Sequence, residues 1–380
     1  MDLALTEEQE ALQASARDFV RNETSPELAR DPDGEDAIQE SWTRMIALGW
    51  PAVSIPQEQG GAGMSIIELL ILLEEIGRGI VPGPFFATAG QFVPALLAAA
   101  PGASRDQWLE RVASGTTATV ALGEDRGVWA WQEGTTSCTS VPGGWKLSGQ
   151  KKYVLEGAHS DEILILARTN ETAGPGGFGL FIVPGSAVQS EKVESLDPSL
   201  RLAHLSLQDV EVSHERVLAE PGTAQPIVER CLLESTVGAA ALILGTCSSI
   251  LDQTVEYAKT REQFDKPIGS FQAVKHKLTD MYVAVERARA LTYFAGLTLY
   301  EEDSRREMAS SMAKAAAGDC QRLLVQDGLQ LHGGIGYTWE FDLHLYLKRA
   351  TSLESLLGSS RMHRKRVASG LGLASRGDEA

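Results

Sequence analysis

The part of the chain that most constrains its fold begins at residue 226, where three long segments show helical hydrophobic spacing. They cover residues 228–260, 271–299 and 305–331. The first contains no proline and only two glycines, and as one helix it would be about 50 Å long at 1.5 Å per residue. Helices of this length usually pack side by side. We therefore predict a carboxyl-terminal four-helix bundle over residues 223–380.

The amino-terminal part of the chain is also helical in its hydrophobic pattern. Thr6 and Gln9 form a capping-box signature at the start of the first helix. Helical spacing recurs at residues 36–48 and 65–78. These patterns predict an all-α domain over residues 1–115.

From residue 116 the hydrophobic period changes from helical to alternating. Short β-branched or alternating runs follow one another at residues 117–122, 144–155, 162–169, 178–184 and 204–212. They predict a small β-barrel or β-sandwich domain over residues 116–222. The whole chain is therefore expected to be an α+β protein with the order helical domain, β domain, helical bundle.

Charge and hydropathy exclude several classes of protein. The 380 residues include 34 Lys and Arg against 51 Asp and Glu, for a net charge of −17, which argues against a nucleic-acid partner. The longest apolar stretch, residues 237–245, is far shorter than the roughly 20 residues that span a bilayer. Residues 1–3 begin acidic and lack the basic-then-apolar pattern of a signal peptide.

The cysteines and histidines favour neither disulfides nor a metal site. The four cysteines form no C-x-x-C pair, and the seven histidines are scattered. The cysteines are Cys138, Cys231, Cys247 and Cys320. A reducing compartment and a cytoplasmic location are expected.

Two segments beside the long helices could carry chemistry. In residues 261–272, Arg261 offers a fork of donors for a phosphate and Phe264 a flat apolar face for a ring. In residues 330–338, a pair of glycines follows a helix and would allow close approach of a ligand to the backbone. Taken singly, each segment is equally explained as a connection between helices, with glycine as a C-cap.

Taken together, the two segments resemble the acyl-CoA dehydrogenase family, whose members read R-x-x-F-G-x-x-I-x-x-F-Q and Q-x-x-G-G-x-G-Y between long helices. The resemblance extends over nearly the whole chain, including residues 5–9, 56–63 and 149–153. It implies FAD as cofactor, an acyl-CoA substrate, and electron-transfer flavoprotein as the electron acceptor. The implied reaction is α,β-desaturation of the thioester.

In that family the FAD lies between two subunits, one holding the flavin ring and the other the ADP half. By resemblance, the cofactor-binding residues of this chain are Arg261, Gln263, Phe264, Gln330, Gly333, Gly334 and Ser359. Arg261 would pair with the pyrophosphate.

The flavin-ring half departs from the family pattern. The motif T-E-P-x-x-G-S-D should follow Leu122, but residues 123–130 read GEDRGVWA. The family's W-I-T-N is replaced by YVLE at residues 153–156, so that Leu155 stands where a threonine would donate a hydrogen bond. Tyr153 could still stack on a ring.

The usual catalytic base is also missing. Counting from Gly333 places Leu357 where the family has the Glu of Y-E-G-T. Some members carry the base on the first bundle helix, where the matching position is Ser235, preceded by Glu234. Adjacent helix positions point about 100° apart, so Glu234 is a weak candidate.

One further motif, S-x-x-K at residues 311–314, lies in a helical run without partner motifs. We interpret it as a surface or packing feature.

These departures favour one subunit of a hetero-oligomer of the actinobacterial type. A homologous dehydrogenase subunit would then supply the flavin-ring loops and the glutamate. The alternatives are a self-sufficient homotetramer that uses Glu234, and a non-catalytic scaffold subunit.

Overall fold

The computed structural model describes residues 4–31, 33–169 and 175–373, so the acidic start at residues 1–3 lies outside the described ranges. The chain divides into two compact units. The first unit contains residues 1–31, 66–81 and 236–380, and the second contains residues 32–65 and 82–235.

The helices occur in two blocks on either side of a region of strands. In chain order they are α1 (Glu7–Glu23), α2 (Pro26–Arg30), α3 (Glu35–Ala47), α4 (Ile66–Arg78), α5 (Phe85–Ala87), α6 (Val93–Ala98), α7 (Ala103–Ala113), α8 (Gln225–Thr260), α9 (Gln272–Tyr300), α10 (Arg306–His332), α11 (Leu343–Ser355) and α12 (Ser360–Gly370).

The long helices confirm the pattern-based predictions. Helices α8, α9 and α10 begin and end within three residues of the predicted limits. The capping box is present, because the Thr6 hydroxyl accepts from the Gln9 amide at 3.2 Å and the Gln9 side chain accepts from the Thr6 amide at 3.0 Å. The α+β class, with amino-terminal helices, a central sheet and carboxyl-terminal helices, is confirmed.

In the first unit, α4 and α8 cross at close range because each presents a glycine. A Cβ on Gly77 would lie 2.2 Å from the Leu242 carbonyl oxygen, and one on Gly245 would lie 1.8 Å from that of Glu74. No larger residue fits at either position without separating the helices.

Buried charges connect three helices of the same unit. Glu74 and Glu75, in the middle of α4, are fully buried. Glu74 pairs with Arg289 and accepts from the Tyr293 hydroxyl at 3.0 Å, both on α9. Glu75 pairs with Arg17 of α1 at 2.7 Å. Paired in this way, the carboxylates avoid the cost of an isolated buried charge.

The second unit is built around a mixed sheet. Its strands are β1 (Ala118–Ala121), β2 (Ser137–Val141), β3 (Gly144–Leu155), β4 (Glu162–Thr169), β5 (Phe178–Pro184), β6 (Gln189–Lys192), β7 (Leu202–Ser213) and β8 (Val217–Ala219). The spatial order is β6-β7-β3-β2-β4-β5-β8, and β1 pairs with β4. The pairs β1–β4 and β2–β4 are parallel and the other pairs of this sheet are antiparallel.

Five of these strands coincide with the predicted runs, namely β1, β3, β4, β5 and β7. Strands β4 and β5 are almost continuously buried, which is why residues 163–167 of β4 and residues 178–184 of β5 are apolar. The domain limits at 115/116 and 222/223 stay a prediction.

No helix in the described ranges has both the length and the apolar character needed to cross a bilayer. The cytoplasmic location stays a prediction.

Candidate functional site

A β-hairpin with a two-residue turn follows α8 in the first unit. Its strands are β9 (Glu262–Gln263) and β10 (Lys266–Pro267), and the turn residues Phe264 and Asp265 both have positive φ, 55° and 61°. Such turns normally contain Asn or Gly, because a side chain is strained at positive φ. Asp265 stands where the family motif has glycine. The turn presents Phe264 with 85% of its surface exposed, edge-on to Phe271.

A glycine turn follows the end of α10. Gly333 has a φ of 64°, and a Cβ on Gly333 or Gly334 would meet no atom within 4 Å. The His332 ring stacks on Tyr257 near the end of α8, with ring centres 4.4 Å apart. The Tyr257 carbonyl in turn accepts from the Arg261 amide at 2.8 Å. The stack therefore brings the glycine turn beside the start of the hairpin.

The side chains on this face are open to solvent. Arg261, Gln263 and Gln330 are exposed, and among the described residues no carboxylate pairs with the Arg261 guanidinium. An unpaired arginine, an open glycine backbone and an exposed aromatic ring suit a diphosphate joined to a nucleoside. These residues fit the ADP half of FAD.

Ser359 is the one predicted cofactor residue that lies apart from this face. It is the N-cap of α12, and its hydroxyl accepts from the Met362 amide at 3.4 Å. The turn that contains it contacts Lys314, which precedes Gln330 on α10 by about 24 Å at 1.5 Å per residue. One chain does not bring Ser359 and Arg261 to the same phosphate.

In the second unit, the segment that replaces T-E-P-x-x-G-S-D contains Glu124, whose carboxylate binds other residues of the same unit. Glu124 accepts from the amides of Thr135 and Thr136 at 2.7 and 3.0 Å and from their hydroxyls at 2.8 and 2.7 Å. It also pairs with the fully buried Lys151 ammonium at 2.8 Å. Burial opposes its charge, but Lys151 and the threonine donors outweigh burial and lower the pKa of Glu124 to about 2.

The strand that replaces W-I-T-N offers little to a flavin ring. Tyr153 lies at a bulge of β3 with a φ of 54°, is 57% exposed, and meets the His204 ring edge-on at 4.9 Å. Leu155 is buried and carries no polar atom on its side chain. Because the threonine donors of this region already bind Glu124, these residues do not fit the ring half of FAD.

The candidate bases have other roles. Leu357 is buried, has a φ of 57°, and its carbonyl accepts from His363 at 2.9 Å. Ser235 is buried and donates to the Gly90 carbonyl at 3.1 Å. Glu234 pairs with Arg230 one helical turn earlier.

Sequence reasoning missed two buried lysines. Lys151 and Lys314 are fully buried, and Lys314 is the lysine of the S-x-x-K motif, so of the two interpretations of that motif the surface one is wrong and the packing one holds. Lysine is normally a surface residue, and the partner of Lys151, Glu124, lies 27 positions earlier in the chain, so the local sequence gave no signal of this burial.

Comparison with known proteins identifies the family of this chain. The acyl-CoA dehydrogenase amino-terminal domain model matches residues 6–116, and the carboxyl-terminal domain model matches residues 226–372. The chain therefore belongs to the acyl-CoA dehydrogenase family, whose members are FAD-dependent oxidoreductases acting on the CH–CH group of acyl-CoA thioesters.

Its relatives include proteins from actinobacteria and a steroid enzyme. Acyl-CoA dehydrogenase IpdE2 of Mycobacterium tuberculosis is 30% identical over 96% of this chain and 97% of its own length. One chain of the ChsE4–ChsE5 complex of M. tuberculosis superposes with a TM-score of 0.87 at 26% identity, covering 99% of this chain and 100% of that one. A variant of the Tcur3481–Tcur3483 steroid acyl-CoA dehydrogenase gives a TM-score of 0.84 at 29% identity, covering 97% of this chain and 99% of that one.

Proposed function

We propose that this chain is one subunit of a hetero-oligomeric acyl-CoA dehydrogenase that desaturates an acyl-CoA thioester between its α and β carbons. The chain supplies the ADP-holding half of a composite FAD site. A homologous subunit supplies the flavin-ring half and the base, and electrons leave through an electron-transfer flavoprotein.

The observation that carries this proposal is the contrast between the two halves of the cofactor site. The face around Arg261 is open and unpaired, whereas the segment around Glu124 is saturated by its own threonines and Lys151. A scaffold subunit would gain nothing from the open face. The ChsE4–ChsE5 complex and the Tcur3481–Tcur3483 pair support a two-component assembly by analogy.

The missing base supports the same proposal. FAD, when bound, supplies the hydride acceptor, but removal of the α-proton needs a base within reach, which contributes typically 10²–10⁴-fold to the rate. Leu357 cannot accept a proton. Glu234 is the only alternative base that the family pattern suggests, and its carboxylate is already paired with Arg230.

The decisive experiment compares the chain alone with the chain co-purified with a homologue that retains the Glu of Y-E-G-T. Dye reduction is followed with a series of thioesters, from butyryl-CoA to a steroid side-chain CoA ester. We expect turnover only with both subunits, at least 100-fold above the lone chain. If the lone chain turns over at the rate of the pair, and Glu234→Gln abolishes this, the homotetramer alternative is correct.

The ADP half is tested separately by replacing Arg261. Arg261→Ala removes a charge-assisted phosphate contact of about 1.5–3 kcal/mol, so the FAD dissociation constant of the assembled complex should rise about 10- to 100-fold. Lys259→Ala is the matched control, since it removes a charge half a turn earlier that is paired with Glu256. Equal FAD affinity in both variants would locate the ADP half elsewhere.

A further inference from the structure

The tip of the hairpin after α8 carries a carboxylate that has no partner within the described part of the chain. Asp265 is exposed, and no hydrogen bond or ion pair to another described residue uses its side chain. The ammonium of the neighbouring Lys266 instead lies 4.4 Å from the centre of the Phe271 ring. Arg261, at the start of the hairpin, also has no ion-pair partner among the described residues. One short element therefore offers both an acidic and a basic group to a ligand.

The shape of the turn does not explain this carboxylate. Asp265 has a φ of 61°, and the family motif has glycine at this position. Glycine adopts positive φ without strain, and asparagine tolerates it as aspartate does. Either residue would form the same turn without a charge. An unpaired charge, kept in a conformation that disfavours side chains, indicates a contact outside the chain.

Two molecules that the family binds contain the ADP group that fits the face formed by Arg261, Phe264 and the glycine turn at 333–334. FAD contains it as its adenylate half, and acyl-CoA substrates contain it within coenzyme A. The two differ at the ribose, because coenzyme A has a phosphate on the 3′ oxygen where FAD has a free hydroxyl. An arginine fork and an open glycine backbone recognise a diphosphate, which both molecules possess. Discrimination between them therefore needs a group at the ribose.

The length of the hairpin matches the spacing of the groups in ADP. The Arg261 carbonyl accepts from the Ile268 amide at 2.8 Å, so Arg261 lies at the base of the hairpin and Phe264 at its tip. Three residues at about 3.3 Å each separate the two by about 10 Å. An extended ADP joins its diphosphate to its adenine over a similar length, with the ribose next to the adenine. A diphosphate at Arg261 and an adenine on Phe264 would bring that ribose to Asp265.

We propose that Asp265 is a specificity-determining residue of this face, which accepts from the ribose hydroxyls of FAD and repels the 3′-phosphate of coenzyme A. Acidic residues read the ribose of dinucleotides in the same way, since a hydroxyl donates to the carboxylate and a phosphate meets a like charge. The inference rests on the proposed function in one respect, that this face holds the ADP half of FAD. It adds the reason why the acyl-CoA substrate does not occupy the flavin site.

Three substitutions separate the charge of Asp265 from its other properties. Asp265→Asn removes the charge and retains an oxygen that accepts from a hydroxyl. Asp265→Gly removes both and also relieves the positive φ, so that the turn is expected to form at least as well. Glu262→Gln is the matched control, because Glu262 is a second exposed carboxylate of the hairpin, on β9 rather than at the tip.

The first experiment compares coenzyme A with dephospho-coenzyme A, which differ only in the 3′-phosphate. The assembled complex with bound FAD is titrated with each probe, and release of FAD is followed by flavin fluorescence. For the natural complex, dephospho-coenzyme A should release FAD at a concentration about tenfold lower than coenzyme A does. In Asp265→Asn and Asp265→Gly the two probes should be equally effective, whereas Glu262→Gln should behave as the natural chain. Equal release by both probes from the natural complex would overturn the proposal.

The second experiment tests the ribose hydroxyls themselves. ADP and 2′,3′-dideoxy-ADP are compared as competitors of FAD in the same titration. ADP should be about tenfold more effective with the natural chain, because only its hydroxyls donate to the carboxylate. The difference should persist in part in Asp265→Asn and disappear in Asp265→Gly. A difference that is as large in Asp265→Gly as in the natural chain would contradict the role of Asp265.

The outcomes also separate this inference from the proposed function. Unchanged FAD affinity in Arg261→Ala would show that the ADP half lies elsewhere, and both proposals would then fail. Weakened FAD binding in Arg261→Ala, together with natural discrimination in Asp265→Asn, would overturn only the role of Asp265. Loss of assembly in Asp265→Asn by native mass spectrometry, with discrimination unchanged, would also overturn it and would assign the carboxylate to a cation of the homologous subunit.

Discussion

At the scale of single residues, the most consequential group is the Glu124 carboxylate, whose hydrogen bonds and ion pair are all made to residues of the same chain. Glu124 takes four hydrogen bonds from Thr135 and Thr136 and one from Lys151, and Lys151 has no exposed surface. The pair explains why a lysine can be buried there. It also supports the proposal that a homologous subunit supplies the flavin-ring half of the site.

Removing the charge of Glu124 should strongly reduce the free energy of unfolding. Glu124→Gln leaves the Lys151 ammonium buried without a counter-charge, and breaking a buried pair in this way costs about 3–5 kcal/mol of the free energy of unfolding. Glu133→Gln, which breaks the exposed pair with Arg126 in the same segment, should cost less than about 1 kcal/mol. Urea unfolding at pH 7 measures both, and equal losses would contradict the assignment.

The same carboxylate sets an acid dependence of stability. The pKa of Glu124 falls from 4.5 to about 2 on folding. Its stabilising contribution is therefore complete above pH 4.5 and is lost as the pH falls toward 2, because the unfolded chain takes up the proton first. Urea midpoints measured between pH 6 and pH 3 should fall more steeply for the natural chain than for Glu124→Gln. Parallel curves would show that Glu124 is not involved.

At the scale of elements, two glycine-containing turns of the first unit have opposite requirements. The turn after α10 is open, since a Cβ on Gly334 would meet no atom within 4 Å. The turn after α11 is crowded and left-handed at Gly358. We therefore propose that Gly334 permits the close approach of a ligand, whereas Gly358 is required by the shape of the backbone.

Alanine substitutions should separate these two roles. Gly334→Ala should leave the free energy of unfolding within about 0.5 kcal/mol of the natural value, because open space accepts the methyl group. It should nevertheless weaken FAD binding by the assembled complex about tenfold. Gly358→Ala should cost about 1–3 kcal/mol of stability through backbone strain. Thermal unfolding and flavin titration of both variants provide the check, and a reversed pattern would contradict the division.

At the scale of the whole molecule, the two halves of the cofactor site determine how much flavin an assembly can hold. Each FAD needs one ADP-holding face and one flavin-ring loop. This chain is proposed to supply only the first. Two of these chains with two homologous partners would therefore complete two sites rather than four.

The expected flavin content is accordingly one FAD per pair of chains. Native mass spectrometry gives the number of chains, and flavin absorbance after denaturation gives the number of FAD molecules. Arg261→Ala in this chain should empty both sites of the assembly after gel filtration. One FAD per chain would mean that the loop around Glu124 opens to accept a flavin ring, contrary to the proposal.

Much of the architecture follows from local sequence. The long helices α8, α9 and α10 and the strands β3, β4 and β5 are visible as hydrophobic periods, because each spans enough residues for its apolar positions to repeat. The capping box at Thr6 is likewise local, since it needs only residues three positions apart. The motifs around Arg261 and Gly334 identify the family for the same reason.

Short elements depend on their surroundings instead. The edge strand β6 is entirely exposed and has the sequence Gln-Ser-Glu-Lys, so nothing in its composition predicts a strand. It is a strand because its backbone pairs with that of β7. Helices α11 and α12 were not predicted from the sequence. Their ends are completed by contacts from α10, including those of Lys314.

The sequence by itself determined the family, the helix–sheet–helix order and the absence of a carboxylate at position 357. Only the tertiary structure decided that Lys151 and Lys314 are buried, that Glu124 is saturated, and that Leu357 is held left-handed. The physical reason is that hydrophobic periods and caps act over a few neighbouring residues. A buried charge or a strained backbone, by contrast, is stable only through partners far away in the chain, such as Lys314 for residues 353–358.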